Sequence, residues 1–291
     1  MYIIALLFTV IFAHIDCTDM TSNCYNGPHY TKLGSVVSCA VPGVVAMTFD
    51  DGPSKYTMFI AKKLYDHDMR ATFFTVGKRL NYSRYILRYL VTHNHQIACH
   101  SYSHEDFTMM TTKNMLYDIT TYENKFASLS IFGTTVVPKY IRMPFSRINE
   151  KSAKLLKEIG YTVVDFTLDG NDTISNNILG AYQSYLGDPP SNIDMLALSV
   201  ITIQHDTTES TYKSIEKVIQ WFYENFAANG TQFVTIAECL NDQNPYKQLY
   251  IPIDSTNALN SHSVYLYILF SLIMMNFNLE IKLKNEGVWI K

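Results

Sequence analysis

Short runs of β-branched and aromatic residues alternate along the chain with stretches whose apolar positions recur every three or four residues. Val44 to Phe49, Thr72 to Val76, Gln96 to Cys99, Tyr140 to Met143, Tyr161 to Phe166, Ser199 to Gln204 and Gln232 to Ile236 have the length and composition of strands. Between them, Tyr56, Phe59, Ile60 and Leu64 fall on one helix face, as do Tyr85, Ile86, Tyr89 and Leu90, and then Met115, Ile119, Tyr122 and Phe126. Later sets are Ala153, Leu156 and Ile159, followed by Ile215, Val218, Ile219, Phe222 and Phe226. Asn149 as an N-cap and Gly160 just past the last periodic residue mark both ends of one of these helices. The segment from Ile174 to Leu196 shows the weakest pattern. No long linker or low-complexity tract interrupts the alternation, so one domain is predicted. Strand and helix in turn predict an α/β fold, a parallel sheet covered by helices, closed as a barrel or open and doubly wound. No glycine-rich turn follows the first strand, which removes most of the support for a dinucleotide-binding sheet.

The ends differ from this pattern. Ile3 to Ala13 is an uncharged apolar run of signal-peptide length, so residues 1–17 are read as a signal peptide cleaved between Ala13 and Cys17. Five cysteines and three sequons, at Asn81, Asn171 and Asn229, agree with a secreted route. A second apolar run begins at Val264, and residues 264–277 are read as a membrane anchor with Lys282 and Lys284 on the cytoplasmic side. The run is short of the ~20 residues that a bilayer core requires, which keeps a docked terminal helix as the alternative.

Composition narrows the function classes. Of 291 residues, 23 are Lys or Arg and 26 are Asp or Glu, a net charge of -3 with no basic run longer than a dipeptide. Nucleic acid is therefore excluded as the main partner. With 47% hydrophobic and 17% charged residues the chain can bury a full core, which excludes disorder as its main state.

In sheets of this kind, catalytic groups stand on the loops that leave the C-terminal ends of strands. The first strand runs into Asp50-Asp51-Gly52-Pro53 and the third into His100-Ser101-Tyr102-Ser103-His104. The fourth carries Arg142, the fifth is followed by Asp165, Asp169 and Asp172, and the sixth ends in His205-Asp206. Titratable groups thus gather on one rim. Two adjacent carboxylates repel, and a cation beside them relieves this, although carboxylates at a helix N-terminus are the plain alternative. His100 and His104 are four apart and can reach one ion, which makes them with Asp51 a two-His, one-carboxylate site. Three protein ligands with open positions suit catalytic zinc or non-haem iron, and the alternation of helices with strands favours zinc. Hydrolysis at such an ion also needs a base for water and an acid for the leaving group, jobs for which Asp50 and His205 are placed.

The stretches VVAMTFDDGPSKY from Val44, ATFFTVG from Ala71, NHQIACHSYSH from Asn94 and VTIAECLND around Cys239 together resemble the polysaccharide deacetylases of the NodB-homology group, and within it the fungal chitin deacetylase branch. The resemblance runs from Cys39 to Tyr250 and gives the domain as 39–250. It implies a distorted (β/α)7 barrel binding Zn2+ or Co2+, with Asp51, His100 and His104 as ligands, Asp50 as general base and His205 as general acid. Arg142 would orient Asp50, and Asp169 or Asp172 would do the same for His205. Departures occur where the family has Arg-Pro-Pro-Tyr-Gly and this chain has Arg142-Met143-Pro144-Phe145-Ser146, so that an oxyanion-binding backbone N–H would come from Phe145. The family's Asp-x-x-Asp-Trp reads Asp169-Gly170-Asn171-Asp172-Thr173 here, without the aromatic wall, and Ile203 replaces a leucine before His205. The implied activity is hydrolysis of N-acetyl groups on the GlcNAc units of chitin, giving chitosan and acetate at the cell surface or wall. The alternative is a catalytically weak carbohydrate-binding wall protein on the same barrel. Cys39 before the first strand and Cys239 after the seventh are expected to form a disulfide, as fungal relatives also suggest, with Cys99 left as a buried thiol.

Overall fold

The computed structural model describes residues 28–249 except 134 and 191–197. In chain order its elements are β1 (Val44–Asp50), α1 (Thr57–Tyr65), β2 (Ala71–Thr75), α2 (Arg84–Thr92), β3 (Gln96–Cys99), α3 (Thr112–Ser128), β4 (Val136–Pro138), β5 (Tyr140–Ile141), α4 (Glu150–Glu158), β6 (Thr162–Val163), β7 (Leu168–Asp169), α5 (Ile178–Leu186), β8 (Ser199–His205), α6 (Glu209–Asn225), β9 (Gln232–Phe233), α7 (Ile236–Cys239) and β10 (Tyr246–Gln248). The expected signal peptide at 1–17 and the expected anchor at 264–277 lie outside the described residues. Among the described residues, no helix is long and apolar enough to cross a membrane.

Eight strands form one parallel sheet, seven in the order β6-β5-β3-β2-β1-β8-β7 and β9 beside β1, and it curls into a distorted (β/α)7 barrel. β1 is its centre, buried at every position. One edge of β1 is shared: Val44 and Val45 pair with β9, whereas Met47 to Asp50 pair with β2. The distortion lies between β6 and β7, which no helix separates. There the segment at Val36 inserts, its N–H donating to Val163 O at 2.9 Å and its carbonyl accepting from Asp165 N at 2.7 Å. The single strand expected from Tyr161 to Phe166 is therefore split: Val164 N still donates to Ile141 O on β5 at 2.8 Å, but on its other side Val164 bridges to Val36, and Asp165 N donates to Val36 O. β4 and β10 form a separate antiparallel pair.

Small residues such as Ala46 and Ala98 leave room inside the barrel for Phe74, Tyr140 and Ile201, all buried. Each such side chain contributes about 1.5–3 kcal/mol by leaving water. The helices cover the outside as their periodicity predicts, with one exception: α2 buries Ile86, Leu87 and Leu90 while Tyr85 is 64% exposed. The predicted end signals of α4 are present, since the Asn149 side chain accepts from Ser152 N and Gly160 takes a φ of +80°. In the weakly patterned stretch α5 forms behind an Asn177 cap whose side chain fills the space that a Cβ at Gly180 would need, with its Nδ2 2.1 Å from that position. Cys39 and Cys239 are disulfide-bonded with their Cα atoms 4.8 Å apart, and Cys99 is a buried free thiol.

Candidate active site

The C-terminal ends of β1, β3, β5 and β8 and the loop after β7 converge on one rim. β1 delivers Asp50 on its inner face, 2% exposed, and the chain then turns sharply at Asp51, whose φ is +74°. Left-handed backbone recurs around the rim in residues other than glycine: Ser101 (+62°), His104 (+59°), Phe145 (+61°), Ser146 (+52°) and Asn171 (+53°). Such positions are sparsely allowed and persist where surrounding structure enforces them.

Arg142 threads through the barrel interior and is 1% exposed. Its Nη1 donates to Asp50 Oδ1 at 2.8 Å and to Thr48 Oγ1 at 2.5 Å, its Nη2 donates to Asp165 O at 3.0 Å, and its guanidinium lies 4.3 Å from the Phe74 ring centre. A buried carboxylate is tolerated only with such a partner. The Asp165 carboxyl, beside this pair, is raised by burial and by the Asp50 charge, against the lowering effect of Arg142.

Asp51, His100 and His104 form the one cluster among the described residues whose ligand atoms all lie within 4.8 Å of one another. His100 Nδ1 lies 2.8 Å from Arg142 O. A carbonyl oxygen only accepts, so Nδ1 carries a proton, and Nε2 is the nitrogen turned toward the carboxylates. That Nε2 is 3.4 Å from Asp51 Oδ1 and 3.8 Å from Asp50 Oδ2, while His104 Nε2 is 3.0 Å from the same Asp51 oxygen. Asp51 Oδ1 is buried without a hydrogen-bond partner. Burial alone would raise the Asp51 carboxyl, but the two imidazoles hold it well below the usual carboxylate range. An ionised, unpartnered oxygen facing two imidazole nitrogens fits a cation, and the nitrogen and oxygen donor set suits zinc or cobalt.

His205 ends β8, the strand next to β1. Asp50 and His205 are register partners on adjacent strands, which fixes the prospective base beside the prospective acid. Asp172 clamps His205 with both oxygens: Oδ2 accepts from the backbone N at 2.7 Å and Oδ1 lies 2.8 Å from Nδ1. Thr208 and Thr211 hydroxyls also donate to Asp172 Oδ2, at 2.8 and 2.6 Å. Burial disfavours the charged imidazole, yet Asp172 and the charges of Asp50 and Asp51 push it up to about 9. Asp172 itself is lowered by His205 and these donors despite its burial.

Of the two carboxylates expected to face His205, only Asp172 does so; Asp169 accepts from Asn171 N at 2.7 Å, because the turn after β7 spends that side chain on its own backbone. Phe145 is 60% exposed, its ring centre 4.8 Å from that of His104, and Ile203 lies buried two residues before His205 on the same strand face. Thr173, in place of the aromatic wall, is exposed, while Asn171 is half-buried. Sequence reasoning did not single out Thr48, Thr208 and Thr211, whose hydroxyls bond the charged groups, nor a role for Asp206. The adjacency of Asp206 to His205 was the available signal. Asp206 is wholly buried, accepts from Thr57 Oγ1, and is pushed up to about 7 by burial and by Asp51 and Asp50.

Residues 38–164 match the family described as polysaccharide deacetylase. The chain is 28% identical over 225 residues to a chitin deacetylase of Colletotrichum lindemuthianum, covering 73% of this chain and 86% of that one. It is also 28% identical over 200 residues to a peptidoglycan-N-acetylglucosamine deacetylase of Bacillus cereus, covering 66% of each. Among solved structures, that of the chitin deacetylase from the fungal pathogen Colletotrichum lindemuthianum aligns with a TM-score of 0.66 at 26% identity, over 76% of this chain and 98% of that one.

Proposed function

We propose that the chain, whose residues 38–164 match the polysaccharide deacetylase family, removes N-acetyl groups from GlcNAc units of chitin by hydrolysis, giving chitosan and acetate. The observation that carries this reading is the adjacency, on one rim, of an Arg-paired buried carboxylate at Asp50 and a carboxylate-clamped imidazole at His205, with the Asp51, His100 and His104 cluster beside them. Those three residues would hold Zn2+ or Co2+, which when bound polarises the amide carbonyl and acidifies water. Asp50 Oδ2 accepts the proton of the attacking water while Arg142 keeps Oδ1 engaged. As hydroxide adds to the carbonyl carbon and the C–N bond breaks, His205 gives its Nε2 proton to the departing amine. Asp172 keeps that imidazole protonated at neutral pH and fixed in direction. The Phe145 N–H would help hold the developing oxyanion, and the Phe145 ring and Ile203 would line the substrate side.

The buried disulfide supports an oxidising, secreted location, and the catalytic unit is assigned to residues 39–250. Acetate release from chitin oligomers by zinc- or cobalt-loaded protein tests the proposal. Zinc bound without acetate release would overturn it and leave the second reading, a carbohydrate-binding wall protein, for which Ser146 and Thr173 are the motivating departures.

A further inference from the structure

Asp206 touches the stretch from the end of β1 to the start of α1 at four points. Its backbone N–H donates to Asp50 O at 3.3 Å, its carbonyl accepts from the Ser54 hydroxyl, and its Oδ2 accepts from the Thr57 hydroxyl. The fourth is contact with Gly52. A Cβ built there would lie 2.2 Å from Asp206 Oδ2, 2.5 Å from Oδ1 and 2.7 Å from Cγ, and these are its three nearest neighbours. Gly52 has no left-handed φ, so its backbone does not itself demand glycine. What excludes a side chain at position 52 is the carboxylate of Asp206. The Thr57 hydroxyl in turn accepts from Ser54 N at 2.7 Å, which closes the loop upon this carboxylate.

We propose that Asp206 is a positioning residue for the metal site: its carboxylate is the seat on which Gly52 rests, and with its bonds to Asp50, Ser54 and Thr57 it holds Asp51 in its left-handed conformation at a fixed place relative to His205. The proposal rests on the reading that Asp51, His100 and His104 bind a divalent cation. Asp206 sits next in sequence to the prospective acid and packs against the residue next to the prospective ligand, so one buried side chain sets the spacing between the two halves of the site. Groups that orient a ligand in this way typically alter metal affinity about 10- to 100-fold when removed.

The test is a double-mutant cycle on the full chain with Asp206→Ala, Gly52→Ala and the pair, with Asp206→Asn as the conservative variant. Zinc affinity is read by competition with a chromophoric chelator, ligand geometry by the visible spectrum of the Co2+ form, and folding by thermal melting of the metal-free protein. Asp206→Ala is expected to weaken zinc about tenfold or more and to lower kcat with little change in KM. Asp206→Asn, which keeps the shape and an acceptor for Thr57, should recover affinity to within a few-fold. Gly52→Ala should lose zinc as well, and adding Asp206→Ala to it should restore affinity, because the new methyl then occupies the vacated space. Additive losses in the cycle, or a zinc affinity and cobalt spectrum unchanged in Asp206→Ala while only the melting temperature falls, would overturn the role of Asp206 and leave the metal reading intact. If Asp206→Ala does not fold, the Asp206→Asn and Gly52→Ala arms decide it: parental zinc affinity in Gly52→Ala overturns the proposal. A parent protein that binds no zinc overturns both readings.

Discussion

Replacing Asp172 by Asn isolates what a buried charge does to the acid of the site. An Asn retains an oxygen that accepts from His205 Nδ1, so the ring keeps its direction, but the negative charge 2.8 Å away is lost. Asp172 supplies the largest of the influences that raise His205, and burial, which lowers it, is unaffected by the change. The hydrogen bond to the Asn oxygen and the charges of Asp50 and Asp51 still oppose burial, so the imidazole falls from about 9 and at most to its ordinary 6.5, which sets the upper bound of the loss. At pH 8 a group titrating at 9 is about nine-tenths protonated and one at 6.5 only about 3%, so kcat should fall up to about 30-fold there. At pH 5.5 both forms are protonated and the difference should shrink to less than about twofold. The assay is acetate release from chitin oligomers across this range, with His205 titrated by NMR in the zinc-loaded protein. The parent should lose activity as the pH rises through about 9 and the variant at lower pH. A variant whose alkaline limb stays near 9, or whose loss is the same at pH 5.5 and pH 8, would refute the assignment of Asp172 and His205 as a charge-tuned acid.

Asp50→Asn should keep bound zinc and lose about 10²- to 10⁴-fold in kcat, the usual worth of a general base, whereas Asp51→Asn should lose zinc itself; metal analysis of the purified variants separates the two. Arg142→Met leaves the Asp50 carboxylate buried without its partner and should destabilise the metal-free protein by about 3–5 kcal/mol in urea melts, a value that an unchanged midpoint would contradict. Replacing Cys39 and Cys239 by Ser removes a crosslink spanning 200 residues and should cost about 5 kcal/mol in the chain-entropy account, measured by denaturation against the oxidised parent.

The parallel strands and their covering helices could be read from sequence because each is buried on a regular period. β1, β3 and β8 lie where their β-branched runs predict. The β4 and β10 pair left no such signal: each has three residues, one contains Pro138, and Tyr246 meets Pro138 only through the tertiary fold. β7 was hidden because local pattern could not show that Val36 would claim Val164 and Asp165. α5 was hidden by Gly180, which lowers helix propensity but makes room for the Asn177 cap. At the site, the rim carboxylates and imidazoles were legible as strand-end residues. The choice between Asp169 and Asp172 was not, because it depends on which carboxylate the loop turns toward β8 and which it spends on its own backbone. Asp206 was visible as a rim residue beside His205, but its role was not, because its partners are a glycine and three backbone or hydroxyl groups, none of which marks a site in sequence.

The left-handed residues at Asp51, Ser101, His104, Phe145 and Asn171 sit on the same end of the barrel. Each disfavours the folded rim by about 1–3 kcal/mol, less for Asp and Asn, while the strands below carry the apolar burial that offsets it. The two ends of the molecule therefore differ in how easily they open. Amides around 100–104 and 143–147 should exchange with solvent through local openings well below the free energy of global unfolding, while those inside β1 exchange only with the whole domain. Zinc at Asp51, His100 and His104 would bind the closed rim alone and should slow the first set without altering the order of the two. Hydrogen exchange with and without zinc reads this directly, and uniform protection along the chain would show that the rim is no looser than the barrel beneath it.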